Sequence, residues 1–484
     1  MSAAQSHSYS APAGVMAVIA ETVTRQQQAQ LAKPVVELAE RKARIQQVID
    51  LLVAGHVSLA DAMETDFGGR HRGFSLMNDI LGALASLKHT RDNLGTWMEA
   101  ESRPVFSPYD QLGATAQVQY QPKGVIGIMG TWNAPVYTLL SPLACVLGAG
   151  NRAVLKPSEV TPATARVLAE LFAKFVDPEL VAVINGDAEV GAAFASAGFD
   201  HLVFTGSTAV GKKVMTAAAA NLTPVTLELG GKSPAIISRS GDLVDYCRRI
   251  AIAKGTNGGQ ICVSPDVLYV PAESLDVVTK TLLSQFKGLY PVITDNADLT
   301  PVINQAHLER IQSYIEDAKA KCAGIKVSHE GVQGDDRRLP LTLIIEPGAD
   351  CTVMQQEIFG PLLIIKGYDK TSEVLTDINN RENPLALYWF GTDQQEKELV
   401  LTHTCSGGVT VNDALAHAAM HDAPFGGTGA SGIGHYHGKE GFLEFSHMKT
   451  ILQAPDYDPR GEWGMLPPYH EGFEAMMAAQ VTAD

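Results

Sequence analysis

The sequence predicts an α/β fold in which a doubly wound parallel sheet is joined to a second α/β lobe. Three observations carry this prediction. Short apolar runs alternate with helical patterns from Val125 onward, a strand-like run enters a glycine turn at Phe204–Gly211, and a second alternating stretch follows Gly230. Strands separated by helices of this length pair in parallel through right-handed crossovers, and such sheets commonly bind nucleotides at their carboxyl edge. At 484 residues the chain has room for two or three domains and a cleft between lobes.

The chain opens on amphipathic helices. Between about Ala17 and Ala62, the residues Leu38, Ile45, Val48, Ile49 and Leu52 recur at helical spacing among Glu37, Arg41 and Lys42. Residues 103–121, RPVFSPYDQLGATAQVQYQ, are rich in turn formers and end on the alternation Ala116, Val118, Tyr120, which predicts a hairpin reaching out to a partner. The runs Val125–Met129, Arg152–Leu155, Val181–Asn185, Leu202–Phe204 and Val225–Leu229 predict the strands of the first sheet. The uncharged span Gly124–Asn151 is broken by Pro135, Pro142 and several glycines, so it reads as a buried strand, turn and helix and not as a membrane span. In the second lobe, from about Gly230 to His403, Ala235–Ile237, Val267–Val270 and Leu341–Ile345 predict strands. A Gly/His-rich loop is expected at Pro424–Gly441, then a tail around Pro467 and Pro468 that frays or packs on another surface.

Composition narrows the function. The formal net charge is −16, from 53 acidic and 37 basic side chains, which disfavours nucleic acid and anionic membrane surfaces as partners. The cysteines at 145, 247, 262, 322, 351 and 405 show no CxxC spacing, so neither a disulfide framework nor a zinc knuckle is expected. Reduced thiols fit a cytoplasmic home, and the N-terminal residues lack the charge arrangement of a secretory signal. His417 and His421 have a spacing that allows one helix face, and His435, His437 and His447 lie nearby. No HExxH accompanies them, so no metal site is expected.

Four elements carry the chemistry. Cys262 follows Gly258-Gly259-Gln260-Ile261, and the glycines allow a sharp bend that brings a thiol into an open cleft. Taken alone, such a cysteine is more often a small buried hydrophobe. Glu228, in Glu228-Leu229-Gly230-Gly231-Lys232, ends a β-rich run 34 residues earlier and is placed to act as a general base in the same cleft. Phe204-Thr205-Gly206-Ser207 leads a strand into a glycine turn and a helix start, whose amides suit a pyrophosphate. Lys156-Pro157-Ser158-Glu159 sets a cation and a carboxylate where a ribose would lie, although a solvated helix cap explains the same residues.

Together with Thr131-Trp132-Asn133 and Glu357-Ile358-Phe359-Gly360-Pro361, these motifs resemble those of the aldehyde dehydrogenase superfamily in order and spacing, from about residue 17 to the Pro-Pro-Tyr of the tail. The closing residues Pro424–Gly432, Tyr436-His437-Gly438-Lys439 and Phe445-Ser446-His447 resemble the class 3 and coniferyl-aldehyde branch. The resemblance implies a Rossmann-like NAD(P)-binding domain at 1–102 and 122–229, a catalytic domain at 230–408, and a bridging β element with the tail at 103–121 and 409–484. It also implies that Cys262 is the nucleophile, that Glu228 activates the deacylating water, and that Asn133 stabilises the oxyanion. For the cofactor it implies Lys156 and Glu159 on the adenosine ribose, Gly206 and Ser207 at the pyrophosphate, and Glu357 on the nicotinamide ribose. Phe359 is implied near the nicotinamide ring, with Trp132, Gly211 and Leu229 completing the cofactor set.

The cofactor expected is NAD or NADP: Glu159 favours a free ribose hydroxyl pair, and Lys156 tolerates an added phosphate. NAD is the favoured one. The partners expected are a small-molecule aldehyde and a second copy of the chain, as a homodimer before a tetramer. Many relatives carry an aromatic residue after the oxyanion asparagine, whereas Ala134 stands here, which predicts a wider pocket mouth suited to aromatic aldehydes; a compensated packing change is the alternative. Medium-chain aldehydes remain a second class. The competing functions are a CoA-acylating aldehyde dehydrogenase, disfavoured by Glu228, and a non-catalytic protein on the same fold, disfavoured by intact Cys262, Glu228 and Asn133.

Overall fold

The computed structural model describes residues 13–107, 109–321, 323–332 and 336–483; Cys322 lies outside them. The chain divides into two compact units. The larger takes the chain up to Trp97 and from Pro122 to Ser446, and the smaller takes Met98–Gln121 and everything from His447 onward.

Helices Ala13–Ala32 and Leu38–Phe67 open the larger unit. Ile45, Val48, Ile49 and Leu52 are all buried on one face of the second, which ends at Gly68, in the left-handed conformation at φ 71° that glycine adopts without strain. The first sheet has six strands in the spatial order 432–433, 225–228, 201–205, 125–129, 152–156, 181–183. All neighbours run parallel except the edge strand Gly432–Ile433, which pairs antiparallel with Leu227 and Glu228. Strands Val125–Met129, Arg152–Lys156 and His201–Thr205 are buried throughout, as befits a sheet covered by helices on both faces. The span from Gly124 to Asn151 is a buried strand, a turn and the helix Tyr137–Gly148. No helix among the described residues is long and apolar enough to cross a membrane.

The second sheet has seven strands, in the order 324–327, 342–345, 362–368, 267–271, 234–237, 386–390, 408–411, with only Gly324–Val327 antiparallel. Three of these were expected, and four more complete the sheet. Its core gathers Trp389, Tyr269, Tyr314, Ile311, Leu362 and Ile364.

The closing segment holds strands beside the expected loop. Gly408–Val411 is the parallel edge of the second sheet, Gly432–Ile433 the antiparallel edge of the first, and the chain up to Ser446 clusters with the larger unit. A two-residue strand is too short to leave an alternating pattern. Its Gly432 has φ 153°, and a Cβ there would sit 2.3 Å from the carbonyl oxygen of Leu227.

In the smaller unit, Glu101–Arg103 pairs antiparallel with Thr115–Pro122, and Tyr109–Leu112 forms a 3₁₀ turn between them. This is the expected hairpin, entered two residues earlier. Strand Ser446–Gln453 completes a three-stranded sheet and is exposed along most of its length.

Candidate active site

The strand order of the first sheet reverses between Val125–Met129 and His201–Thr205, and sheets of this kind take ligands at the carboxyl side of such a switch point. The segments leaving these two strands are Gly130–Asn133 and Gly206–Ser207. Lys156 and Glu228 end the strands flanking them on either side. Ser207 caps the helix Thr208–Ala219, its hydroxyl accepting from the N–H of Val210 at 3.4 Å. The amides of that first turn face outward, an anion-binding arrangement. Gly211 is buried one turn along, where a Cβ would meet Leu229 Cδ2 at 2.7 Å, so it lets the helix pack closely on Leu229. Lys156 is buried; its Nζ donates to the carbonyl oxygens of Gly186 at 3.1 Å and Pro157 at 3.3 Å, and to Glu159 Oε2 at 3.4 Å. The Glu159 carboxylate is 46% exposed and open to a further partner. A glycine turn opening a helix, beside a cation and a half-exposed carboxylate, is a donor and acceptor set that fits a dinucleotide.

Cys262 enters from the second lobe. After the helix Leu243–Gly255, Asn257, Gly258 and Gly259 run in the left-handed region at φ 49°, 61° and 74°. A Cβ at Gly258 would lie 2.7 Å from Thr300 O and one at Gly259 2.4 Å from Gly360 O, so both positions require glycine. The wholly buried Gln260 then pins the loop: its Nε2 donates to Asn257 O at 2.9 Å and Pro301 O at 3.0 Å, and its Oε1 accepts from the N–H of Ile303 at 2.9 Å. Cys262 follows, half-buried and beside Glu228, whose Oε1 is buried with no hydrogen-bond partner among the described residues.

Glu228 itself is 2% exposed. Burial pushes its carboxyl up to about 8, and the neighbouring Cys262 thiol opposes that rise. Burial also pushes the Cys262 thiol well above its ordinary range, and the Glu228 and Glu357 carboxylates add to the effect. Desolvation dominates both shifts because it penalises whichever group carries the charge. Both groups are thereby shifted toward their protonated, neutral forms.

Asn133 reaches the same loop from the first sheet. Its Nδ2 donates to Gln260 O at 3.1 Å, and its Oδ1 accepts from Thr131 Oγ1 at 2.6 Å, which fixes the NH₂ toward the cysteine loop. Asn257 Nδ2 ties both segments together, donating to Asn133 O at 3.1 Å and Gln260 O at 3.2 Å.

The segment Glu357–Phe359 closes the site. Lys232 donates to Asp266, to Val353 O at 2.7 Å and to Gln356 O at 3.0 Å, while Asp266 Oδ2 accepts from the N–H of Ile358 at 2.8 Å. Arg310 holds the far side through Ile358 O at 2.7 Å and Phe359 O at 3.3 Å. Burial raises the Glu357 carboxyl to about 8, with Asp266 adding and the Gly231 N–H opposing. The Phe359 and Trp132 rings meet edge-on at 5.3 Å, joining this segment to the Asn133 turn. Asn257, Gln260, Asp266 and Arg310 escaped the sequence reading in these roles; only the Asn-Gly-Gly run ahead of the cysteine signals a left-handed stretch.

The histidines form hydrogen bonds: His417 with Thr410 at 2.8 Å, His421 with Ser86 at 3.0 Å and His437 with Tyr137 at 3.1 Å. Among the described residues no group of three or more His, Cys, Asp or Glu is arranged to hold a metal ion.

Residues 3–451 match the model of the aldehyde dehydrogenase family. The chain is 45% identical over 472 residues to a probable coniferyl aldehyde dehydrogenase of Caulobacter vibrioides, covering 96% of this chain and 97% of the relative. It is 42% identical to a coniferyl aldehyde dehydrogenase of a Pseudomonas species, with the same coverage of 96% and 97%. Among solved structures, a substrate-bound Staphylococcus aureus AldH superposes with a TM-score of 0.88 at 31% identity, over 95% of this chain and 99% of that one. A match of this extent leaves no part of the larger unit unaccounted for, and the chain belongs to the aldehyde dehydrogenase family, oxidoreductases that act on aldehydes with NAD or NADP.

Proposed function

We propose that the chain oxidises an aromatic aldehyde of the cinnamyl type, such as coniferyl aldehyde, to its carboxylic acid through a thioester on Cys262. The observation that carries the chemistry is the convergence of the Cys262 thiol, the buried Glu228 carboxyl with its unpartnered Oε1, and the Asn133 amide that donates to the cysteine loop. Glu228 takes the thiol proton as sulfur adds to the aldehyde carbon. The Asn133 amide and the Cys262 N–H hold the resulting oxyanion, an effect worth about 3–4 kcal/mol per donor. Bound NAD or NADP supplies the hydride acceptor that turns the adduct into a thioester. Glu228, having passed the thiol proton to solvent, then removes a proton from the water that attacks the thioester and returns it to the departing sulfur, so the acid leaves as the thiol is restored.

In this reading the six-stranded sheet would hold most of the cofactor, with Lys156 and Glu159 on the adenosine ribose, Gly206 and Ser207 on the pyrophosphate and Trp132 at the ring, while Glu357 and Phe359 of the second lobe would take the other ribose and the ring's far side. The seven-stranded sheet carries the nucleophile. The carboxylate of Glu159 accepts from ribose hydroxyls and repels a phosphate in their place, which favours NAD. Ala134, small and buried directly after Asn133, supports the substrate class, as do the names of the relatives. The exposed strand Ser446–Gln453 supports a homodimer, and the reduced thiols a cytoplasmic location.

NADH formation, followed by its absorbance across aliphatic, benzyl and cinnamyl aldehydes, tests the reading, with Cys262→Ala as control. Selective turnover of cinnamyl substrates, abolished in the control, is the expected result. Equal turnover of short aliphatic aldehydes removes the substrate assignment, and turnover by the control removes the thioester.

A further inference from the structure

The main chain of Asn133 is gripped from outside the cysteine loop by a buried ion pair. Arg70 is wholly buried, its guanidinium carbon 4.7 Å from the ring centroids of both Phe67 and Phe74. Its Nη2 donates to Asp79 Oδ2 at 2.5 Å and its Nη1 to Asn133 O at 3.2 Å. Asp79, also wholly buried, sits in the π-helical turn Leu76–Leu81, a rare geometry that tends to occur at functional sites. Its other oxygen accepts from the N–H groups of Val136 at 3.1 Å and Tyr137 at 3.3 Å, where the helix Tyr137–Gly148 begins. The pair thus clamps residues 133–137 at both ends.

A wholly buried ion pair is a poor source of stability, because desolvating two charges costs about as much as their attraction returns. Arg70 Nε, moreover, has no hydrogen-bond partner among the described residues. Apolar side chains of similar volume would fill this space as well. They would not accept two backbone N–H groups at one end of a turn and donate to a carbonyl at the other.

We propose that Arg70 and Asp79 are positioning residues that hold the Asn133 amide in register with the Cys262 N–H, so that both donors meet the same oxyanion. This rests on the reading of Asn133 as an oxyanion donor. Neither residue touches the reacting atoms. Their effect passes through Asn133, which separates this role from a contribution to folding alone.

The test is a double-mutant cycle on the full-length enzyme, read as the single-turnover rate of NADH formation with saturating NAD and cinnamaldehyde. Asn133→Ala is expected to slow this rate by about 10²–10³-fold. Arg70→Met is expected to slow it by up to about 10²-fold, as misplacement of a catalytic group does, while NAD affinity is unchanged. In the Asn133→Ala background, Arg70→Met should cause no further loss, because the group it positions is already gone. A wild-type rate in Arg70→Met, or losses that multiply in the double variant, overturns the proposal. A wild-type rate in Asn133→Ala overturns the oxyanion reading instead, and the positioning role with it. Should Arg70→Met fail to fold, Asp79→Asn runs the same cycle. An amide has one acceptor oxygen, serving either Arg70 or the two N–H groups, so a partial loss that vanishes in the Asn133→Ala background is expected, and an unchanged rate overturns the proposal.

Discussion

At the scale of single residues, Glu228 has two jobs with different requirements. Glu228→Gln keeps the shape beside Cys262 but removes the base of both steps, so the first burst of NADH is expected to slow and steady turnover to fall by about 10²–10⁴-fold; rapid mixing against steady-state rates checks this. Because Glu228 acts as a base when deprotonated and burial raises it to about 8, kcat is expected to rise with pH through that region. A pH–rate profile reads it directly, and a flat profile from neutral to alkaline pH contradicts the assignment. Ala134 sets the pocket in a different way. Ala134→Phe is expected to lower kcat/KM for cinnamaldehyde about 10-fold or more relative to acetaldehyde, the scale on which pocket shape discriminates. The identities of Cys262, Glu228 and Asn133 were legible in the sequence because each stands in a short motif. Their shifted proton affinities were not, because desolvation is a property of the folded interior.

At the scale of elements, glycine turns decide where the reactive groups stand. Gly230 lies under the Glu357 carboxylate, and a Cβ there would fall 2.2 Å from Oε2. Gly230→Ala is therefore expected to push that carboxylate aside and weaken NAD binding about 10-fold, the loss of one charge-assisted hydrogen bond, measurable by fluorescence titration. The strands of the first sheet were readable because five apolar runs lie between helical patterns and glycine turns. The edge strand Gly432–Ile433 and the π-helical turn at Leu76–Leu81 were not, since each is held by partners far away in sequence: Leu227 and Glu228 for the strand, Val136 and Tyr137 for the turn that carries Asp79.

At the scale of the whole molecule, the smaller unit presents strand Ser446–Gln453 with Met448 and Leu452 exposed. An open apolar strand edge invites pairing with another chain. Light scattering is expected to give the mass of a dimer, and Met448→Glu with Leu452→Glu is expected to shift it to that of a monomer. An unchanged mass in the double variant places any self-association elsewhere.

The sequence by itself determined the α/β class, five strands of the first sheet and three of the second, the order of the motifs and which residues are candidates for nucleophile, base and oxyanion donor. Periodicity, glycine turns and short motifs are local, so one chain displays them without being folded. Tertiary structure alone decided which strands are neighbours, that the residues after Met129 and Thr205 flank one switch point, and that Cys262 meets Glu228 from the other lobe. It also decided that Arg70 and Asp79 grip the Asn133 turn. Those facts follow from burial and from pairings between residues far apart in the chain, and neither is written in any local stretch of sequence.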